Sequence, residues 1–320
     1  MKVSRRRFLK QGLASALLLG AMNSPLLAKG MSPDMPVGKK PKARRILLIG
    51  LDGISVAGFE KAHTPHLDAL LAQGVLSLTT RVVMPSVTLP NWTSHLTGSG
   101  PEQHGVTGND WTKEKHKLPA VATDEDGYYP SVFMQLKKHI PQMKTAFYYN
   151  WKELIYPYNP KYLDETGFQE NDGYVENYQK ALDFMKANRD NPALVFLYTV
   201  HTDNAGHKYK WMSPEYIRSI EEADEAIGRL LAQLEAEGLY DDTHFMFLTD
   251  HGGIEYGHGG LSVDEMIVPW GIVGPGIRKS VVIEEPNNTV NTAAVILRLF
   301  REELPAAWTG EVPDIFESGR

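Results

Sequence analysis

The 320-residue sequence has no cysteine, which excludes disulfides, zinc–thiolate centres and cysteine nucleophiles. It has no surplus of positive charge: 33 Lys and Arg stand against 39 Asp and Glu, a net charge of −6. Proteins that grip a nucleic-acid duplex show a basic face, so a duplex partner is not expected. The body of the chain has no internal repeat and no low-complexity segment. The apolar run near the N-terminus, Gly12 to Met22, is too short to cross a bilayer comfortably, and no stable membrane anchor is expected. What remains is ordinary globular composition, 42% hydrophobic and 22% charged, with length for one large domain or two medium ones.

The N-terminus carries the first specific signal. Ser4-Arg5-Arg6-Arg7-Phe8-Leu9-Lys10 matches the twin-arginine export pattern, and the short apolar core follows it. Residues 1–28 are therefore expected to be a twin-arginine signal peptide ending near Leu26-Leu27-Ala28. Residues 29–43, rich in Lys, Pro and Gly, read as a linker, and residues 44–320 as a single domain. The expected partner is the twin-arginine export machinery, and the expected location is the periplasm or beyond. A basic amphipathic helix or a membrane anchor is the other reading of the same residues.

Three short apolar runs have strand length and β-branched or aromatic content: 44–53, 192–203 and 243–253. Helical patterns lie between and after them. Residues 64–74 open with Thr-Pro and close in Gly; 213–238 open with Ser-Pro-Glu and close at Gly238; 174–189 and 289–300 have helical spacing. Wholly apolar strands alternating with helices predict an α/β fold with a mainly parallel sheet covered on both faces. The poorly periodic stretch of about 105–172, rich in Tyr, Trp, Lys and Pro, is expected to be a substrate-side insertion.

Each of the three strands is expected to end in an acid: Asp52, Asp203 and Asp250. Ligands in open α/β sheets bind beyond the carboxyl ends of the strands, so these carboxylates can converge on one edge. His207 follows Asp203 by four residues, His251 adjoins Asp250, and His258 comes seven residues later among glycines. Imidazoles mixed with carboxylates suit zinc or another first-row ion. Three Asp and three His exceed the needs of one tetrahedral ion and suffice for two, an arrangement used for displacement at phosphorus. Singly, each pair also reads as a solvated loop or a tight turn; the expectation rests on all of them together.

Between the first two of these strands lies the hydroxyl-rich stretch 81–111. LDG, HTPHLDALLAQGV, MPSVTLPNWTSHLTG, EQHGVTGNDW, DNAGH, TDHGG and HGG, taken along the chain, resemble the alkaline phosphatase superfamily in residues and in order. The element Thr88-Leu89-Pro90-Asn91 is similar to the nucleotide pyrophosphatase/phosphodiesterase branch, and the motifs span residue 46 to about 275. The resemblance implies an alkaline-phosphatase-like three-layer sandwich with a mostly parallel central sheet. It implies two divalent ions, zinc by preference, and a phosphate ester as small-molecule substrate. Thr88 would be the nucleophile, on the ion held by Asp52, Asp250 and His251. Asp203, His207 and His258 would hold the other ion, which activates the water that resolves the phospho-enzyme. Asn109 would donate its amide to a phosphoryl oxygen, with Asn91 as the alternative donor. Leu89 and Tyr198 would support the second substituent of a diester, a core role being the other reading of Tyr198.

Sulfatases share parts of this pattern, but Thr88-Leu89-Pro90-Asn91-Trp92 lacks both the convertible Cys or Ser and the Arg they require. Threonine-type monoesterases of the superfamily meet the extra phosphoryl charge with a Lys-x-Arg pair, and residues 105–190 contain none. A diester or nucleotide pyrophosphate is therefore expected over a monoester. A phosphomonoesterase, a phosphonate hydrolase on the same site and an inert periplasmic metal- or phosphate-binding protein are the alternatives. Two departures from the branch argue against nucleotides as physiological substrate. Only seven residues separate His251 from His258, where a long insertion is common, and Leu89 stands where an aromatic is usual.

Overall fold

The structure, a computed structural model, describes residues 43–170 and 173–318. The expected signal peptide, and all of the expected linker but its last residue, lie outside the described residues. Nine strands form one sheet: β1 (Arg45–Leu51), β2 (Val75–Arg81), β3 (Lys144–Tyr149), β4 (Glu165–Phe168), β5 (Ala193–Thr199), β6 (Thr243–Leu248), β7 (Ile267–Val273), β8 (Val281–Ile283) and β9 (Asn287–Asn288). Their order is β4-β3-β5-β1-β6-β7-β2-β8, with β9 also beside β2. Only β7 runs antiparallel to its neighbours β6 and β2. The helices are α1 (Val56–Lys61), α2 (Pro65–Leu71), α3 (Thr88–Thr97), α4 (Pro101–His104), α5 (Val132–His139), α6 (Tyr174–Ala187), α7 (His201–Tyr209), α8 (Pro214–Ala236), α9 (Val263–Met266) and α10 (Asn291–Leu299).

The central strands are buried on both faces, and their alternate residues feed two separate cores. Ile46, Leu48, Phe196 and Met246 pack on one side with Trp92 and Leu96 of α3, Val132 and Phe133 of α5 and Ile296 of α10. Leu47, Ile49, Leu197 and Phe247 pack on the other with Phe59 of α1, Leu67 of α2, Leu182 of α6 and Ile227 of α8. This is the expected three-layer architecture. The long helix α8 begins where the sequence announces it: the Ser213 hydroxyl accepts the Tyr216 N–H and Pro214 takes the first helical position. Among the described residues, no helix is long and apolar enough to cross a membrane.

Two expectations change. The stretch 105–172 is not all insertion: α5, β3 and β4 lie within it, and β3 pairs in parallel with β5 to extend the main sheet. The second expected strand end is also displaced. The strand β5 stops at Thr199, and Asp203 stands in the first turn of α7. Asp203 and His207 are therefore one turn apart on a single helix face, which is why four-residue spacing brings them together.

Candidate metal centre

Four segments meet at the carboxyl edge of the sheet. Asp52 directly follows β1, and its N–H donates to the Thr199 carbonyl of the neighbouring strand at 3.0 Å. Gly53 then turns the chain at φ +73, a left-handed conformation that suits glycine, and its N–H donates to Asp250 Oδ1 at 3.1 Å. A Cβ on Gly53 would lie 3.0 Å from Asp203, so the turn also makes room for that side chain. Asp250 and His251 follow β6, and His258 lies on the loop that leads to α9.

The three imidazoles are oriented in the same way. His207 Nδ1 lies 2.9 Å from the Tyr256 carbonyl, His258 Nδ1 2.9 Å from the Ser86 carbonyl, and His251 Nδ1 2.8 Å from the Gly252 carbonyl. A carbonyl only accepts, so each Nδ1 carries the proton and each Nε2 presents a lone pair. Those lone pairs face carboxylates. His251 Nε2 lies 3.3 Å from Asp52 Oδ1 and 3.2 Å from Asp250 Oδ2. His207 Nε2 lies 3.4 Å from Asp203 Oδ2, and His258 Nε2 3.7 Å from Asp203 Oδ1. Thr88, at the first position of α3, places Oγ1 3.3 Å from His251 Nε2.

The donor set has acceptors facing acceptors. Asp52 Oδ1, Asp203 Oδ1 and Asp250 Oδ2 are buried with no hydrogen-bond partner among the described residues. Burial pushes the Asp52 and Asp250 carboxyls well above the usual carboxylate range, the neighbouring carboxylates adding to it, and pushes Asp203 up to about 7. Burial equally disfavours the protonated imidazoles of His251 and His258. A cation between these groups satisfies both, so the residues fit divalent ions. The ligand atoms of Asp203, His207 and His258 lie within 4.8 Å of one another, as do those of Asp52, Asp203 and His251. Asp203 thus borders both groups.

A second layer holds the first. Tyr198 donates its hydroxyl to Asp52 Oδ2 at 2.5 Å, and Trp92 Nε1 donates to the same oxygen at 3.3 Å. The Thr202 hydroxyl donates to the Asp52 carbonyl. Asn109 Oδ1 accepts the Leu89 N–H at 2.8 Å, which leaves the Asn109 amide nitrogen free to act as a donor beside Thr88. Asn91 is committed elsewhere: its side chain accepts from Val83 N–H and donates to the Pro85 and Val87 carbonyls, tying the turn that leads into Thr88. It is the turn's brace and is not placed as a phosphoryl donor. His104 and His95 are also internal supports, bonded to Ser94 and to Thr292, with burial lowering them to about 3 and about 4.

Leu89 and Tyr198 present no surface to solvent. Both side chains are fully buried, Leu89 within α3 and Tyr198 edge-on against Trp92. Helical and strand periodicity says that such residues are buried, but not whether they are buried against core or against a ligand. Several contributors escaped sequence reasoning because they act through backbone carbonyls, namely Tyr256, Gly252 and Ser86. One had a readable signal: Ser262-x-x-Glu265 is a capping box, and Glu265 Oε1 also accepts the Gly260 N–H at 2.7 Å, fixing the loop after His258.

The family model for type I phosphodiesterase/nucleotide pyrophosphatase matches residues 46–286. Among curated proteins, the chain is 27% identical over 221 residues to the bis(5'-adenosyl)-triphosphatase ENPP4 of Bos taurus, covering 65% of this chain and 47% of that one. It is 26% identical over 254 residues to ectonucleotide pyrophosphatase/phosphodiesterase family member 7 of Homo sapiens, covering 74% and 53%. The chain thus spans about half the length of the curated relatives it matches. Murine ENPP5 has the same fold at a TM-score of 0.71 and 15% identity, covering 85% of this chain and 100% of that one. A phosphonate monoester hydrolase from Silicibacter pomeroyi shares the fold at a TM-score of 0.63 and 17% identity, covering 84% and 75%.

Proposed function

The chain belongs to the type I phosphodiesterase/nucleotide pyrophosphatase family, and from that membership we propose that it is a two-metal phosphodiesterase with Thr88 as nucleophile. One observation carries the reading: three tethered imidazoles turn Nε2 towards three buried carboxylates, and the Thr88 hydroxyl stands 3.3 Å from one of those nitrogens. Asp52, Asp250, His251 and Thr88 would hold one divalent ion, and Asp203, His207 and His258 the other. The mixed carboxylate and imidazole set suits zinc. Bound there, such ions supply the positive charge that favours a deprotonated hydroxyl and screens phosphoryl oxygens.

The rest is the work of the chain. Thr88 sits at the amino end of the ten-residue helix α3, where the helix dipole favours an anionic phosphoryl group. Its Oγ1 forms a bond to phosphorus as the bond from phosphorus to the leaving oxygen breaks. Water then attacks phosphothreonine, the Oγ1–P bond breaks and the hydroxyl is regenerated. Asn109, held on the Leu89 N–H, offers its amide to a non-bridging oxygen, a contact that strengthens as charge builds there. The bovine relative's name, a bis(5'-adenosyl)-triphosphatase, supports a phosphoryl group with a substituent on either side.

The test is a panel on zinc-loaded protein. The expected result is a higher kcat/KM for bis-p-nitrophenyl phosphate or a p-nitrophenyl nucleotide than for p-nitrophenyl phosphate. A preference of tenfold or more for the monoester reassigns the protein as a phosphomonoesterase, and inertness towards all three supports the binding-protein alternative. We further propose twin-arginine export, on the strength of residues 4–10. The receptor reads paired guanidinium groups and not charge alone, so replacing Arg5, Arg6 and Arg7 together by Lys should strand precursor inside the cell. Normal export of that variant would end the proposal.

A further inference from the structure

One buried side chain touches every segment that carries a proposed Asp or His ligand, and it is not itself a ligand. Trp211 follows α7 by two residues and is 2% exposed. Its indole N–H donates to the Gly53 carbonyl at 2.9 Å, in the turn after Asp52. Its backbone N–H donates to the Glu255 carbonyl at 2.8 Å, in the loop between His251 and His258. Its ring stands edge-to-face with His207, the centroids 5.1 Å apart and the planes at 87°, and with His258 at 6.0 Å and 63°. Two glycines make room for it. A Cβ on Gly206, in α7, would lie 2.6 Å from the indole, and one on Gly253, two residues after His251, would overlap it.

The backbone is bent to deliver this ring. Lys210, between α7 and Trp211, has φ +82 and ψ +138, a conformation that residues with a Cβ rarely adopt. Such strain persists where the surroundings over-determine it. Here the surroundings are the anchors of Trp211, two hydrogen bonds and two glycine seats. His207 is the ligand that gains most. Its side chain is 44% exposed, against 9% or less for the other five Asp and His ligands. The bond from its Nδ1 to the Tyr256 carbonyl fixes one ring atom and leaves the ring able to tilt about it. An indole packed edge-to-face opposes that tilt. The same indole borders His258, so one wall sets both Nε2 atoms that face Asp203.

We propose that Trp211 is a positioning residue, which orients His207 and His258 for tight binding of the ion in the Asp203 group and acts little on the Asp52 group. This role rests on the two-ion reading of the centre. The asymmetry follows from the contacts. Among the described residues the ring pairs with His207, His258 and Tyr216, and not with His251. Its one bond towards Asp52, on the Gly53 carbonyl, is duplicated by the Tyr216 hydroxyl, which donates to the same oxygen at 2.9 Å.

Two single-site proteins separate positioning from general packing. His251→Ala leaves Asp203, His207 and His258 as an intact group, and His207→Ala leaves Asp52, Asp250 and His251. Zinc affinity of each is measured by competition with a chromophoric chelator, with and without Trp211→Leu. In the His251→Ala protein, Trp211→Leu should weaken zinc at least tenfold, the scale for a group that orients metal ligands. In the His207→Ala protein the change should stay within about threefold. Trp211→Phe, which keeps a ring beside the imidazoles, should restore most of the loss. Where the leucine variant does not fold, the phenylalanine variant decides, by a several-fold loss in the His251→Ala protein alone. Equal losses in both proteins would overturn the proposal, because Trp211 would then serve packing only. Unchanged affinity in the His251→Ala protein would overturn it too. A native protein that holds no zinc is a different result, seen before any substitution, and it removes the two-ion reading itself.

Discussion

At the residue scale, the hydroxyl and the amide beside it have separable effects. Thr88 is 4% exposed and its Oγ1 faces the imidazole of His251, so the loss of one oxygen removes the proposed nucleophile while the proposed ligand atoms around it stay in place. Thr88→Ala is expected to lose nearly all turnover yet keep its metal, and Thr88→Ser to retain part of the rate because the hydroxyl survives. Asn109→Ala should lower kcat by roughly ten- to a thousand-fold, the scale of a single transition-state donor. It should also loosen the N-terminus of α3, because Asn109 Oδ1 holds the Leu89 N–H. Steady-state rates and metal analysis on the three variants check this. A near-normal rate for Thr88→Ala would pass the nucleophile's role to another oxygen.

At the scale of elements, the turn after β1 is where backbone geometry and ligand placement coincide. Gly53 and Gly238 both have positive φ, +73 and +65, but a Cβ on Gly53 would press on Asp203 at 3.0 Å while one on Gly238 would meet nothing within 4 Å. Alanine at either should cost about 1–2 kcal/mol of stability from the left-handed backbone. Only Gly53→Ala should also lose zinc, towards one ion per chain, by displacing the carboxylate that borders both ligand groups. Equal zinc content in the two variants would show that Asp203 tolerates the intrusion. The contrast also shows what the sequence reveals. The apolar runs of β1, β5 and β6 and the Ser-Pro start of α8 were legible, because each is a local rule of periodicity or capping. The β3–β4 edge was hidden in a tyrosine-rich stretch whose strands are short and whose pairing with β5 is set by tertiary contact. Asp203 was placed at a strand end because polar HTDNAGH looks like a loop, when a single turning residue, Val200, starts a helix there. A core role for Tyr198 was one of its two readings, while nothing local marked Leu89 as fully buried.

At the scale of the whole molecule, the ligands tie together parts of the chain that lie far apart: the end of β1, the face of α7, the end of β6 and the loop before α9. The unfolded chain holds no such cluster, so a bound ion stabilises the entire fold. The pH dependence follows from the carboxylates. In the ion-free fold, burial holds the Asp203 carboxyl up to about 7, and its protonated form is the favoured one below that value. A cation alongside favours the carboxylate, so below about pH 7 binding must expel a proton from Asp203, and above it Asp203 no longer opposes binding. Zinc stabilisation therefore grows as pH rises through 7 and fades as pH falls. At a free ion concentration a hundredfold above Kd, the gain is about 2.7 kcal/mol, or roughly 5–10 °C in Tm for a domain of this size. Melting the protein with chelator and with zinc at pH 6 and pH 8 measures it directly. The expected outcome is a larger zinc-induced rise at pH 8. A rise that is absent at both pH values, or larger at pH 6, would mean that these carboxylates and imidazoles hold no ion together.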